Sequence, residues 1–148
     1  MAVTRSATAT WTGDLNSGSG EVSSGTSAQF RALPVSWAAR TAEPEGRTSP
    51  EELLAAAHAA CFSMAFSSNL AKAGHVAEQL EVRADVTFDK RDEGWTVISS
   101  HLTVRGRVPG VDEATFQQVA AKAKDGCPIS RALKGNVALS VDAVLEAA

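Results

Sequence analysis

The chain has two cysteines and no tyrosine, so any covalent or acid–base chemistry falls to thiols, histidines, carboxylates and arginines. Cys61 sits inside an apolar run from Glu51 to Phe66, and Cys127 opens a short segment running to Leu133. A thiol set in an apolar wall, with a single possible partner far along the chain, points to redox chemistry on an apolar substrate. The thiolate is the attacking form, and apolar surroundings raise a thiol's pKa, so Cys61 needs a cation brought to it. The dipole of its own helix cannot serve, because Cys61 lies about three turns past the helix start. Arginine suits that role, since it stays charged in a dry site and can orient an oxygen-bearing substrate. Arg40 and Arg47 both precede the helix, and Glu51 in its first turn is placed to hold a guanidinium fork.

Each of these residues also has a plainer reading. Cys61 on its own reads as a small hydrophobe in a core helix, the commonest fate of a lone buried cysteine. Cys127 combines a helix N-terminus with a Gly-Cys-Pro turn, which places its thiol near the surface, mobile and reachable; otherwise it is an incidental cap. His58, one turn before Cys61, offers a base or a metal ligand, yet the commoner role for such a histidine is a core residue with its hydrogen bonds satisfied. A zinc site from His58, Cys61 and Cys127 lacks the close ligand pairs of structural zinc. A Cys-His hydrolase lacks a third orienting group.

The elements that position these residues follow from capping and periodicity. Between Ala7 and Phe30, short alternating pieces broken by Gly, Ser and Asn read as hairpin strands, with a third strand at Leu33 to Trp37 and a polar loop at Arg40 to Ser49. Ser49, Pro50, Glu51 and Glu52 form a strong helix start, and Gly74 a stop, giving a helix from Pro50 to Ala73. Its alanine-rich middle implies burial on all sides. Strands follow at Gln79 to Asp89 and Gly94 to Val108 around a Lys90–Gly94 turn, then a helix at Val111 to Asp125 closed by Gly126. A short helix led by Pro128 and a strand at Asn136 to Val144 end the chain. The order implies an α+β fold, an antiparallel sheet packed on helices, in a single domain of residues 1–148. A chain this small leaves its central helix partly uncovered, so a homodimer is expected.

Charge and hydropathy narrow the partners. The 14 basic and 17 acidic residues nearly cancel and form no basic block, which argues against nucleic acid. No apolar stretch reads as long enough for a membrane span, and the start lacks the regions of a signal peptide, so a soluble, cytoplasmic protein is expected. Two cysteines are too few for a stapled secreted scaffold, whereas a transient catalytic disulfide stays open.

The segments Ser-Pro-Glu-Glu-Leu-Leu-Ala-Ala-Ala-His-Ala-Ala-Cys-Phe-Ser-Met-Ala (49 to 65) and Ala-Lys-Asp-Gly-Cys-Pro-Ile-Ser-Arg-Ala-Leu (123 to 133) resemble the two signatures of the OsmC/Ohr family. The likeness is to its OsmC branch of osmotically inducible, organic-hydroperoxide-reducing proteins. It extends to the Trp-Thr-Gly-Asp hairpin and the Val-Pro-Gly-Val-Asp segment. The resemblance implies an intertwined homodimer, with antiparallel sheets from both subunits wrapped around long central helices. It also implies a thiol peroxidase without metal or organic cofactor, reopened by an external thiol and serving oxidative or osmotic stress defence. By position, Cys61 becomes the peroxidatic residue, Cys127 the resolving one, Arg40 the activating arginine and Glu51 its carboxylate partner. A non-enzymatic protein binding a hydrophobic ligand, with Cys61 merely packed, and a disulfide reductase are the competing readings.

Overall fold

The computed structural model describes residues 1–147. The chain divides into two compact units, one from Met1 to Leu53 and the other from Leu54 onward. In the first, β1 (Ala7–Thr12), β2 (Ser19–Ser24) and β3 (Leu33–Val35) form an antiparallel three-stranded sheet in that order. A short helical turn, α1 (Ala38–Thr41), follows, so Arg40 lies on a helical turn rather than in the polar loop expected for it. The turn is local: the Ser36 hydroxyl accepts from the Ala39 amide at 3.1 Å.

The long helix α2 (Pro50–Lys72) begins as its sequence requires. Ser49 Oγ accepts the Glu52 amide at 3.1 Å, and the Thr48 hydroxyl donates to the Glu52 carboxylate at 2.6 Å. The first of these occupies an amide that a helix N-terminus otherwise leaves without a partner, and the second ties the preceding residue to the same turn. The helix ends in a Schellman motif: the His75 amide bonds the Leu70 carbonyl at 2.9 Å and the Gly74 amide the Ala71 carbonyl at 3.0 Å. That closure needs a left-handed residue, which Gly74 supplies at φ +89°.

The second unit is built on β4 (Gln79–Arg91), β5 (Gly94–Arg107) and β6 (Ala138–Leu145), with α3 (Glu113–Gly126) and α4 (Pro128–Leu133) between the last two strands. β4 and β5 form a long antiparallel hairpin with a register shift at Thr87/Phe88. β6 corrects the all-antiparallel expectation, since it runs parallel to β5. Two helices carry the chain back across the sheet before β6 begins, and a crossover of that kind returns a strand in the same direction.

α2 is also not buried on all sides. His58, Phe62, Phe66 and Leu70, each four residues apart, are fully buried, while Ala56, Ala57, Ala60 and Met64 are exposed or only partly covered, Met64 at 69%. Uniform alanine hides this division from the sequence. The same composition makes α2, 23 residues long, sufficiently long and apolar to cross a membrane by length and composition alone, contrary to the expectation that no stretch would be. Phe62, Phe66 and Leu70 of this row pack within the second unit against Leu102 and Val104 of β5 and Phe116, Ala120 and Ala123 of α3. Phe66 lies 5.5 Å from Phe62 and 5.0 Å from Phe116 between ring centroids. Gly106 lets α3 come this close, because a Cβ there would stand 2.7 Å from the Phe116 ring. Replacing Phe66 with alanine is expected to destabilise the fold by about 3–5 kcal/mol in chemical denaturation, through lost burial and the cavity left behind.

Candidate active site

Helix α2 sets the geometry of the first cysteine. With the row at 58, 62, 66 and 70 turned into the core, Cys61 falls on the flank of the buried face and keeps partial exposure. Cys127 is both the last cap of α3 and the first cap of α4, its amide bonding the Ala123 carbonyl at 2.9 Å and its carbonyl accepting from Arg131 at 3.0 Å. Its side chain is fully buried in the core cluster, which corrects the expectation of a surface thiol. The reason lies in α3: Phe116, Ala120, Ala123 and Cys127 continue one apolar stripe, so the turn that resembles a surface loop carries its sulfur inward.

The two sulfurs, separated by 66 residues of chain, stand 3.0 Å apart. Both cysteines are free thiols. A disulfide bond is about 2.05 Å long, so closing the pair asks roughly an ångström of movement. Burial pushes the Cys61 thiol up from its ordinary value, and the hydrogen bond shared with Cys127 pushes it further; the Ile129 backbone amide, in the first turn of α4, works in the opposite direction.

His58, one turn before Cys61, is wholly buried with both ring nitrogens engaged: Nδ1 lies 2.7 Å from Ser100 Oγ and Nε2 2.8 Å from Ser130 Oγ. The bland reading of this histidine fits the geometry. Ser100 and Ser130 are residues that sequence reasoning missed, and no local pattern pairs either with His58. Among the described residues, no group of three or more His, Cys, Asp or Glu side chains is disposed to hold a metal.

In the first unit, Arg40 and Glu51 form an ion pair. Arg40 Nη2 is 2.6 Å from Glu51 Oε1, and Nε is 3.2 Å from both carboxylate oxygens, so the fork is held in place by more than one bond. The Arg40 guanidinium also lies 5.5 Å from the Trp37 ring centroid. Arg47 belongs to the turn that its amide closes on the Pro44 carbonyl at 2.9 Å, and the Glu51 carboxylate is taken by Arg40. Arg40 borders an apolar cavity of about 310 Å³ lined by Trp11, Leu15, Val35, Trp37 and Pro50. Phe62 and Phe66 are core residues and take no part in lining this cavity.

The fold and the sulfur pair together define an α+β protein with a dithiol centre. The OsmC-like protein family matches residues 43–142, and the chain belongs to that family. It is 41% identical over 139 residues to peroxiredoxin OsmC of Escherichia coli (strain K12), covering 94% of this chain and 96% of that one. It is 35% identical over 105 residues to the organic hydroperoxide resistance protein OhrA of Bacillus subtilis (strain 168), covering 70% and 72%. Among solved structures, an OsmC-like protein from Mycoplasma pneumoniae superposes with a TM-score of 0.75 at 18% identity, covering 99% of this chain and 100% of that one, and shares the fold.

Burial also holds the His58 pKa below its ordinary value. The unfolded chain then binds a proton near pH 6.5 that the folded chain does not, so stability rises with pH across the window below that value. Urea midpoints are expected to be level above about pH 7 and to fall as the pH drops through about 6, a decline that His58→Gln should reduce.

Proposed function

We propose that this protein is a thiol-dependent peroxidase that reduces organic hydroperoxides to alcohols. The observation that carries the reading is the 3.0 Å approach of two thiols 66 residues apart, one partly exposed and one wholly buried. In this scheme the Cys61 thiolate attacks the terminal oxygen of ROOH. An S–O bond forms as the O–O bond breaks, the alkoxide leaves and takes a proton as ROH, and Cys61 becomes a sulfenic acid. Cys127 then displaces the hydroxyl, giving the Cys61–Cys127 disulfide and water, and an external thiol reduces the disulfide.

Arg40, fixed by Glu51, is the residue we assign to stabilising the Cys61 thiolate and the charge growing on the leaving oxygen. The ion-pair geometry supports that role, because a guanidinium gripped by a carboxylate is held in one orientation. The apolar cavity bordered by Arg40 supports a substrate with an apolar tail and an oxygen head. The relatives' names supply the substrate class: peroxiredoxin for one, organic hydroperoxide resistance for the other. We further propose that residues 1–148 act as one domain within a homodimer, the outward face of α2 around the exposed Met64 being an apolar surface for the partner to cover. The setting we assign is the cytoplasm, where small thiols serve as reductant, in defence against oxidative or osmotic stress.

The competing reading, a binder of hydrophobic ligands with inert cysteines, draws on the same cavity. Free thiols counted before and after one equivalent of cumene hydroperoxide separate the two, with mass spectrometry locating the Cys61–Cys127 link. Both thiols should disappear in the wild type. Cys61→Ser should abolish peroxide consumption, and Cys127→Ser should leave a sulfenic acid that dimedone traps. Undiminished turnover by Cys61→Ser would defeat the proposal.

A further inference from the structure

His58 is the buried titratable group to which the peroxidase scheme gives no role. Its two serine partners come from different elements, Ser100 from β5 and Ser130 from α4. All three side chains are buried, with Ser130 at 1% exposure and the other two at 0%. Filling that space with apolar groups would satisfy packing alone, whereas three polar side chains there fix direction, because each hydrogen bond has a narrow range of angle and length. A neutral imidazole presents one donor and one acceptor, so one serine donates to the ring while the other accepts from it.

The position of the bridge matters more than its chemistry. His58 is one turn ahead of Cys61 on α2, and Ser130 is three residues beyond Cys127 on α4. The His58–Ser130 bond therefore joins the turn beside one sulfur to the turn that carries the other. α4 is only six residues long, and its cap residue Cys127 makes no side-chain capping bond, so its position depends on what it packs against: Cys127 and Ile129 on the core, and Ser130 on His58. Ser100 holds the far side of the imidazole against β5, which stops the ring from turning away from α4.

We propose that His58 is a positioning residue for disulfide closure: through Ser130 it holds the α4 turn in the register that brings the Cys127 sulfur against Cys61. The proposal rests on the resolving role given to Cys127 above. In that step the Cys127 sulfur attacks the sulfenic sulfur of Cys61, the S–S bond forms as the S–O bond breaks, and the hydroxide leaves with the thiol proton as water. Hydroperoxide has already supplied the oxidising equivalents. Displacement at sulfur demands a near-linear approach, so a small shift of α4 slows it steeply, while in the earlier attack on peroxide the Cys127 sulfur is a hydrogen-bond neighbour of the nucleophile and not a reacting atom.

The test compares wild type with His58→Leu, His58→Gln and Ser130→Ala. Stopped-flow kinetics with cumene hydroperoxide separates oxidation of Cys61 from closure of the disulfide. Equilibration in glutathione redox buffers, without peroxide, gives the stability of the disulfide relative to the two thiols. In Ser130→Ala and His58→Leu, closure should be slowed about ten- to a hundredfold more than oxidation of Cys61, the scale set by an ångström of misplacement. The same variants should trap with dimedone and form the disulfide less readily in glutathione buffer, and His58→Gln should recover part of both. Closure rates and glutathione equilibria equal to wild type in folded Ser130→Ala would overturn the proposal, even if the melting temperature falls. Should the wild type consume no peroxide, the peroxidase reading fails alone, and the glutathione equilibria still decide whether the bridge positions the sulfurs.

Discussion

The rotation of α2 about its own axis is the constraint on which the dithiol centre depends. Phe62, Phe66 and Leu70, stacked at four-residue intervals, fit against Phe116 and the β5 residues Leu102 and Val104, and only one helix rotation buries all of them. That rotation turns His58 inward and leaves Cys61 on the flank of the buried face. A turn of α2 by one residue, about 100°, would bury Cys61 or expose it fully. Core packing in this way decides which sulfur is partly exposed and which is wholly buried.

Polar groups around the sulfurs are handled by pairing. Burial raises the Cys61 thiol and lowers the His58 imidazole, both in favour of the uncharged form. The histidine is met by two hydroxyls, and the thiol by a second thiol and a backbone amide. Among the described residues, no buried side-chain nitrogen or oxygen is left without a partner. The Arg40–Glu51 pair follows the same logic in the first unit, where a largely buried carboxylate accepts a forked guanidinium.

Much of this could be read locally. Ser49, Pro50 and Glu52 mark the start of α2 through the bonds its first turn needs, and Gly74 marks its end because the closing residue is left-handed. The alternation of β4 is equally plain, whereas the start expected for α3 at Val111 falls two residues early, because Asp112 precedes the helix and caps it by accepting from the Thr115 amide. The sidedness of α2 was hidden by alanine, which suits an exposed face and a buried one alike. The burial of Cys127 was hidden by Gly126 and Pro128, which read as a surface turn, although the spacing from Phe116 through Ala120 and Ala123 to Cys127 carried the inward signal.

What the sequence determined alone is the inventory and the local frame: two thiols without a tyrosine, a capped helix carrying one of them, and a Cys-Pro helix start carrying the other. Local bonds between residues a few positions apart fix such features, so they survive without knowledge of the rest of the chain. The tertiary structure decided the distances that chemistry requires. The 3.0 Å between sulfurs 66 residues apart, the two serines on His58 and the parallel return of β6 all follow from packing elements that are remote in sequence. No spacing rule reaches across that separation, because the placement comes from many weak contacts summed over the core.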